Sequence, residues 1–141
     1  MTQEEFLIDT LEYYSVDPTR RCATIDGKCY YSPKNTITTG DGCAIGRHLP
    51  DMLKESLDVA SHGNPITVYS LFTNVDHSHF LKDVPDILKS LDVEFLFRIQ
   101  VLHDYNSNWH TEGLTNTGKE ELRRTIIEFN LDENKFQKYI N

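Results

Sequence analysis

Apolar residues recur at helical spacing near both ends of the chain. Leu7, Leu11 and Tyr14 fall at i, i+4 and i+7, which is one face of a helix. Thr2 and Glu5 precede them as a capping box: the hydroxyl accepts from an orphan amide and the carboxylate reaches back. Asp17-Pro18 closes this helix, because proline pushes the residue before it out of the helical region. Further on, Leu122, Ile126 and Phe129 make a second stripe. Thr117 and Glu120 read as its capping box, and Glu120 and Arg124 as an i, i+4 ion pair. Asp132 caps a last short helix carrying Phe136 and Ile140.

The pattern between these helices is more varied. In "RCATIDGKCYYSP", Asp26-Gly27 is a two-residue hairpin signal with β-branched and aromatic residues on both sides. That turn sets Thr24 opposite Cys29 and Cys22 opposite Tyr31, so Cys22 and Cys29 share a face as a diagonal pair roughly 7–8 Å apart. The glycine-ended stretch "PKNTITTGDG" reads as a loop. Asp51 starts a helix carrying Met52, Leu53 and Leu57, which "SHGNP" ends. "ITVYSLF" reads as a third strand and "VDHSHF" as a polar interruption. "VPDILKSLD" reads as a short helix with Pro85 in its first turn, where a missing amide costs nothing.

The segment 93–105 carries two patterns. Val93, Phe95, Phe97, Ile99 and Val101 alternate with Glu94, Arg98 and Gln100, as in a strand. Phe95, Ile99 and Leu102 also fit a helix. Its length and the capping Asp92 favour a largely buried helix. The expected fold is a single α+β domain over 1–141, mostly helical, with one small β-hairpin or sheet packed against about five helices.

Composition sets limits on partners. The 141 residues are 38% hydrophobic and 26% charged, a globular balance. A chain of this length buries about two thirds of its unfolded surface and needs neither disulfide nor metal to fold. With 14 basic and 22 acidic residues, the net charge of −8 repels nucleic acid and anionic membrane and suits a basic protein partner or one that normally meets nucleic acid. No run of about 18 apolar residues is present, so no transmembrane helix is expected. The acidic, amphipathic "MTQEEFLIDTLEYY" does not read as a signal peptide. The cytosol is then the default, and the three cysteines should stay reduced.

Five groups of residues carry candidate chemistry. Gly40, Gly42 and Gly46 in "TTGDGCAIGRHLP" superficially resemble a dinucleotide-binding loop, but no apolar strand precedes them and Pro50 interrupts any helix after them. They read as packing glycines at a tight turn. Cys43 can act as a nucleophile at a helix start, with His103 as base and Asp104 or Asn108 orienting it. The apolar Ala44-Ile45 behind it argues instead for a buried thiol. Cys22, Cys29, Cys43 and His48 make a weak zinc set whose spacings fit no familiar knuckle. In the Asp76-His77-x-His79 run a strand would set His77 and His79 on one face, where they can share a metal with a third ligand from His103 or Asp104; a surface loop with two histidines is the commoner reading. No metal or other cofactor is expected. The fifth group is Gln100, His103 and Asp104, which a helix gathers into one polar patch on an apolar surface. Arg47 and His48 are expected to approach this patch, with Arg47 paired to Asp104, His103 hydrogen-bonded and Trp109 near by.

The sequence "DGKCYYSP", then "GCAIGRHLP", then "FLFRIQVLHDYNSNW", then "GLTNTGKEEL" resembles a family of small proteins encoded by bacteriophages and prophages. The shared pattern places Gln100, His103 and Asp104, then Trp109, behind a hydrophobic segment, and it spans roughly residues 5–130. The resemblance implies a phage gene product in the cytosol of an infected bacterium, and it favours a helix over 93–105. It carries no catalytic role. The resulting expectation is a non-enzymatic accessory protein that binds and modulates a host protein, in host takeover or counter-defence. Arg47, His48, Gln100, His103, Asp104 and Trp109 are its candidate contact residues. Two other readings stay open. One is a protein that sequesters a nucleotide-like small molecule, with Arg20, Arg21 and Arg47 meeting phosphates and Tyr30, Tyr31 or Trp109 stacking on a base. The other is a Cys43–His103 hydrolase.

Overall fold

A computed structural model of the chain describes residues 1–22, 30–35 and 38–141. The expected Asp26-Gly27 hairpin, with Cys29, lies outside the described residues.

Helix α1 (Gln3–Val16) begins at the expected capping box: Glu5 N donates to Thr2 Oγ1 at 3.2 Å and Thr2 N to Glu5 Oε2 at 2.7 Å. Phe6, Leu7, Leu11 and Tyr14 form its buried face. Asp17 ends it and caps the short 3-10 helix Pro18–Arg20. Helix α2 (Asp51–Asp58) buries Leu53 and Leu57, while Met52 is 85% exposed and takes no part in the core.

The strand expected at 66–72 is instead helix α3 (Val68–Thr73). Thr67 Oγ1 accepts from Ser70 N at 3.0 Å, so a local cap overrides β-propensity. Val68, Leu71 and Phe72 then meet the core at i, i+3 and i+4. The polar interruption is also helical, a 3-10 helix over Val75–Asp83. Three residues per turn spread His77 and His79 apart, so the shared strand face expected for them does not exist. Both rings pack on Phe80, at 6.0 and 4.1 Å between centroids.

Helix α4 (Asp86–Lys89) follows Pro85. The ambiguous segment is helix α5 (Val93–Asp104), capped by Asp92 Oδ1, which accepts from Glu94 N at 2.8 Å. Strands β1 (Trp109–His110) and β2 (Gly113–Leu114) pair antiparallel, Trp109 opposite Leu114. Helix α6 (Asn116–Glu128) is capped by Thr115, not Thr117, and its ion pairs are i, i+3: Arg123 with Glu120 and Arg124 with Glu121. Thr115 is held from both sides, because its hydroxyl also donates to Ser107 O. A 3-10 turn capped by Asp132 leads into helix α7 (Gln137–Ile140), with Phe136 and Ile140 buried as expected. The fold is α+β and mostly helical. One contiguous core runs from Phe6 to Ile140, with α5 in contact with α3 and α6.

Candidate functional site

The last turn of an α-helix leaves its final four carbonyls without intrahelical partners. At the end of α5 each of those carbonyls is met. Val101 O accepts from Tyr105 N, and Leu102 O accepts from Trp109 Nε1 at 2.8 Å and Asn108 Nδ2 at 3.2 Å. Arg21 Nε donates to His103 O at 2.8 Å, and Arg21 Nη2 to Asp104 O and Asn106 Oδ1, both at 3.2 Å. The guanidinium also lies 5.7 Å from the centre of the Trp109 ring. Arg21, Asn108 and Trp109 therefore form a clamp on the end of α5, and a cation there opposes the negative end of the helix dipole. Trp109 is only 7% exposed, so its place is inside the fold.

His103 belongs to the same clamp. It is 1% exposed, its Nδ1 lies 2.8 Å from Asp104 Oδ1, and its Nε2 accepts from the Cys22 amide at 3.4 Å. These partners assign the neutral tautomer with the proton on Nδ1. Burial lowers its pKa from the usual histidine value, against the opposing pull of Asp104. Asp104 Oδ1 takes a second donor, Gln100 Nε2, at 2.7 Å. The expected patch thus exists, and its hydrogen-bonded histidine with it.

The expected pair between Arg47 and Asp104 does not form. Arg47 Nη2 binds Asp9 on α1, and its guanidinium stands 4.5 Å from the centre of the Tyr13 ring. His48 packs on Phe6 at 4.9 Å, and its Nε2 is 3.8 Å from Asp9 Oδ2. Burial, then the Arg47 charge, hold the His48 pKa down at about 4, so its ring is neutral at pH 7. Arg47 and His48 thus serve α1, while Gln100 and Asp104 serve α5.

The glycine stretch is a packed turn. A Cβ on Gly42 or Gly46 would come within 2.3 or 2.1 Å of the Tyr31 carbonyl oxygen, and Gly42 holds φ at +135° besides. That carbonyl belongs to a backbone pinned from α2: Asp58 accepts from Tyr31 N at 2.6 Å and Ser32 N at 3.0 Å. Cys43 is 1% exposed behind this turn, and its Sγ accepts from Gly46 N at 3.2 Å. Burial first, then the Asp104 charge, push its thiol well above the ordinary range, opposite to what an activated nucleophile needs. Of the weak zinc set, Cys29 lies outside the described residues. Among the described residues no group of three histidine, cysteine or carboxylate side chains gathers to hold a metal.

The open feature of this region is a cleft of about 490 Å³. One wall is a stripe of α5 at i, i+3, i+4 and i+7: Phe97, Gln100, Val101 and Asp104. The loop 64–68 with Tyr31 and Cys43 completes the lining among the described residues. Phe97 is 37% exposed, with the Tyr69 ring tilted beside it at 5.2 Å between centroids. Gln100 Oε1 is buried without a hydrogen-bond partner among the described residues. Sequence reasoning placed Gln100 and Asp104 here but missed Phe97, Val101 and the 64–68 loop. The available signal was that α5 is apolar around most of its circumference, more than one core-facing stripe requires.

Comparison with protein-family models, curated proteins and solved structures finds no match for this chain. No helix among the described residues is long and apolar enough to cross a membrane.

Proposed function

We propose that this chain is a binding protein, a small acidic accessory factor of bacteriophage type that engages a host protein in the bacterial cytosol and modulates it. The observation that carries the reading is the cleft on α5. An apolar stripe, Phe97 and Val101, stands open beside the half-satisfied Gln100 amide and the Asp104 carboxylate. Partly apolar clefts with a few convergent polar groups are where ligands and partner side chains dock. A net charge of −8 adds attraction for a basic partner.

The two other readings draw less support. Arg20, Arg21 and Arg47, the side chains expected to meet phosphates, are held by Tyr13 O, the end of α5 and Asp9 respectively. Among the described residues the cleft is lined by a carboxylate and no cation, which opposes a nucleotide. The Cys43 thiol and His103 imidazole are both buried, and the imidazole nitrogens are both engaged.

The test is a pull-down from bacterial lysate with wild type and Val101→Arg, which fills the cleft. Recovery of one stoichiometric partner by wild type alone, at matched melting temperatures, is the expected result. Repeated failure of wild type to retain any stoichiometric protein refutes the proposal.

A further inference from the structure

The cleft's chemistry points to a particular kind of contact, an inference that rests on reading the cleft as the binding site. We infer that the cleft on α5 receives an arginine side chain of a partner protein, its guanidinium directed at the Asp104 carboxylate and its methylenes lying along Val101 and Phe97.

Asp104 is the one ionisable carboxylate among the described lining residues, and no lysine or arginine lies among them. Arg21 touches Asp104 only at its backbone oxygen, so the carboxylate has no cationic side chain bonded to it among the described residues. Asp104 Oδ1 is occupied by Gln100 Nε2 and His103 Nδ1, while Oδ2 accepts no hydrogen bond among the described residues. The neighbouring Gln100 Oε1 also lacks a donor. That oxygen is buried, so the acceptor left for a guest is the anionic Asp104 Oδ2, which calls for a cationic donor.

Shape narrows the guest. The stripe from Phe97 to Asp104 runs about 10 Å along the helix, seven residues at the α-helical rise. It begins at the Phe97 ring, which packs beside Tyr69 of α3, and ends at a carboxylate. A long side chain with an apolar stem and a planar cationic head matches that order of surfaces. Guanidinium stacks on aromatic faces and offers a fork of donors to a carboxylate, whereas ammonium is a more strongly hydrated point charge. The overall charge of −8 favours the approach of such a partner and disfavours a nucleic acid.

Two short peptides, identical except for arginine or norleucine at the central position, test this on the ¹⁵N-labelled full chain. The arginine peptide should shift the resonances of Phe97, Gln100, Val101 and Asp104 saturably. The norleucine peptide should bind at least about tenfold more weakly, the effect of one charge-assisted hydrogen bond. Asp104→Asn keeps an oxygen for Gln100 and His103 but removes the charge, and it should abolish the preference for arginine. Equal binding of the two peptides, shifts outside the cleft, no shifts at all, or an undiminished arginine preference in Asp104→Asn would each overturn the inference. A host partner that Val101→Arg loses but Asp104→Asn retains would overturn the arginine assignment while leaving the binding function standing.

Discussion

Replacing Arg21 with alanine tests the clamp that positions the site. Its guanidinium makes three hydrogen bonds, to His103 O, Asp104 O and Asn106 Oδ1. The first is buried, and stranding that carbonyl costs about 1–3 kcal/mol. The other two are part-buried, and water replaces them at a net loss of about 0.5 kcal/mol each. Loss of a cation from the helix C-terminus adds about 0.3–1 kcal/mol. The total is about 2–5 kcal/mol, or roughly 6–20 °C in melting temperature for a domain of this size. Arg21→Lys should fall between, since one ammonium cannot reproduce the fork. Urea unfolding followed by far-UV circular dichroism gives the number. A loss below about 0.5 kcal/mol for Arg21→Ala would refute the clamp. Arg21 would then be a solvated surface charge, available for the ligand role the sequence suggested.

Three further outcomes follow from the buried polar groups. Asp58→Ala should destabilise by about 2–4 kcal/mol, because the Tyr31 and Ser32 amides lose their acceptors, and Asp58→Asn by less; equal stability to wild type in urea would contradict this. His48, with a folded pKa of about 4 against 6.5, is protonated first in the unfolded chain. Its contribution is fully present above pH 6.5 and falls away toward pH 4 by at most about 3 kcal/mol, so His48→Gln should flatten the pH dependence of stability over that window. His103, also lowered, acts in the same direction, whereas the Asp58 carboxyl, raised by burial, acts in the opposite one below its folded pKa. Cys43 should resist iodoacetamide in the folded chain at neutral pH and react only on unfolding, as peptide mapping by mass spectrometry would show; rapid native labelling would revive the nucleophile.

Local signals in the sequence carried most of the helical reading. The Thr2–Glu5 box, the Asp17-Pro18 stop and the Asp92 and Asp132 caps each act within a few residues, and each stands where its chemistry required. The misread elements were those where two local signals competed. At 66–72 the β-branched residues masked the Thr67 cap, and at 115–117 two threonines stood within reach of one helix start. Spacing along α5 also gathered Gln100, His103 and Asp104 correctly. It could not say which distant arginine meets that helix end, because the path of the intervening loops decides where Arg21 and Arg47 are delivered. Arg21 docks on α5 and Arg47 on Asp9 of α1. The cleft was hidden for the same reason: its far wall, the 64–68 loop, has no periodic relation to α5.

Site-specific photocrosslinking in bacterial cells tests the binding cleft most directly. p-Benzoylphenylalanine is installed at position 97, at the cleft, and in a second chain at position 127, which is 78% exposed against 37% for Phe97. Exposure alone would favour capture from position 127. One discrete adduct of constant mass is expected from position 97 and none from position 127. Equal adducts from both positions, or an adduct from position 127 alone, would contradict it.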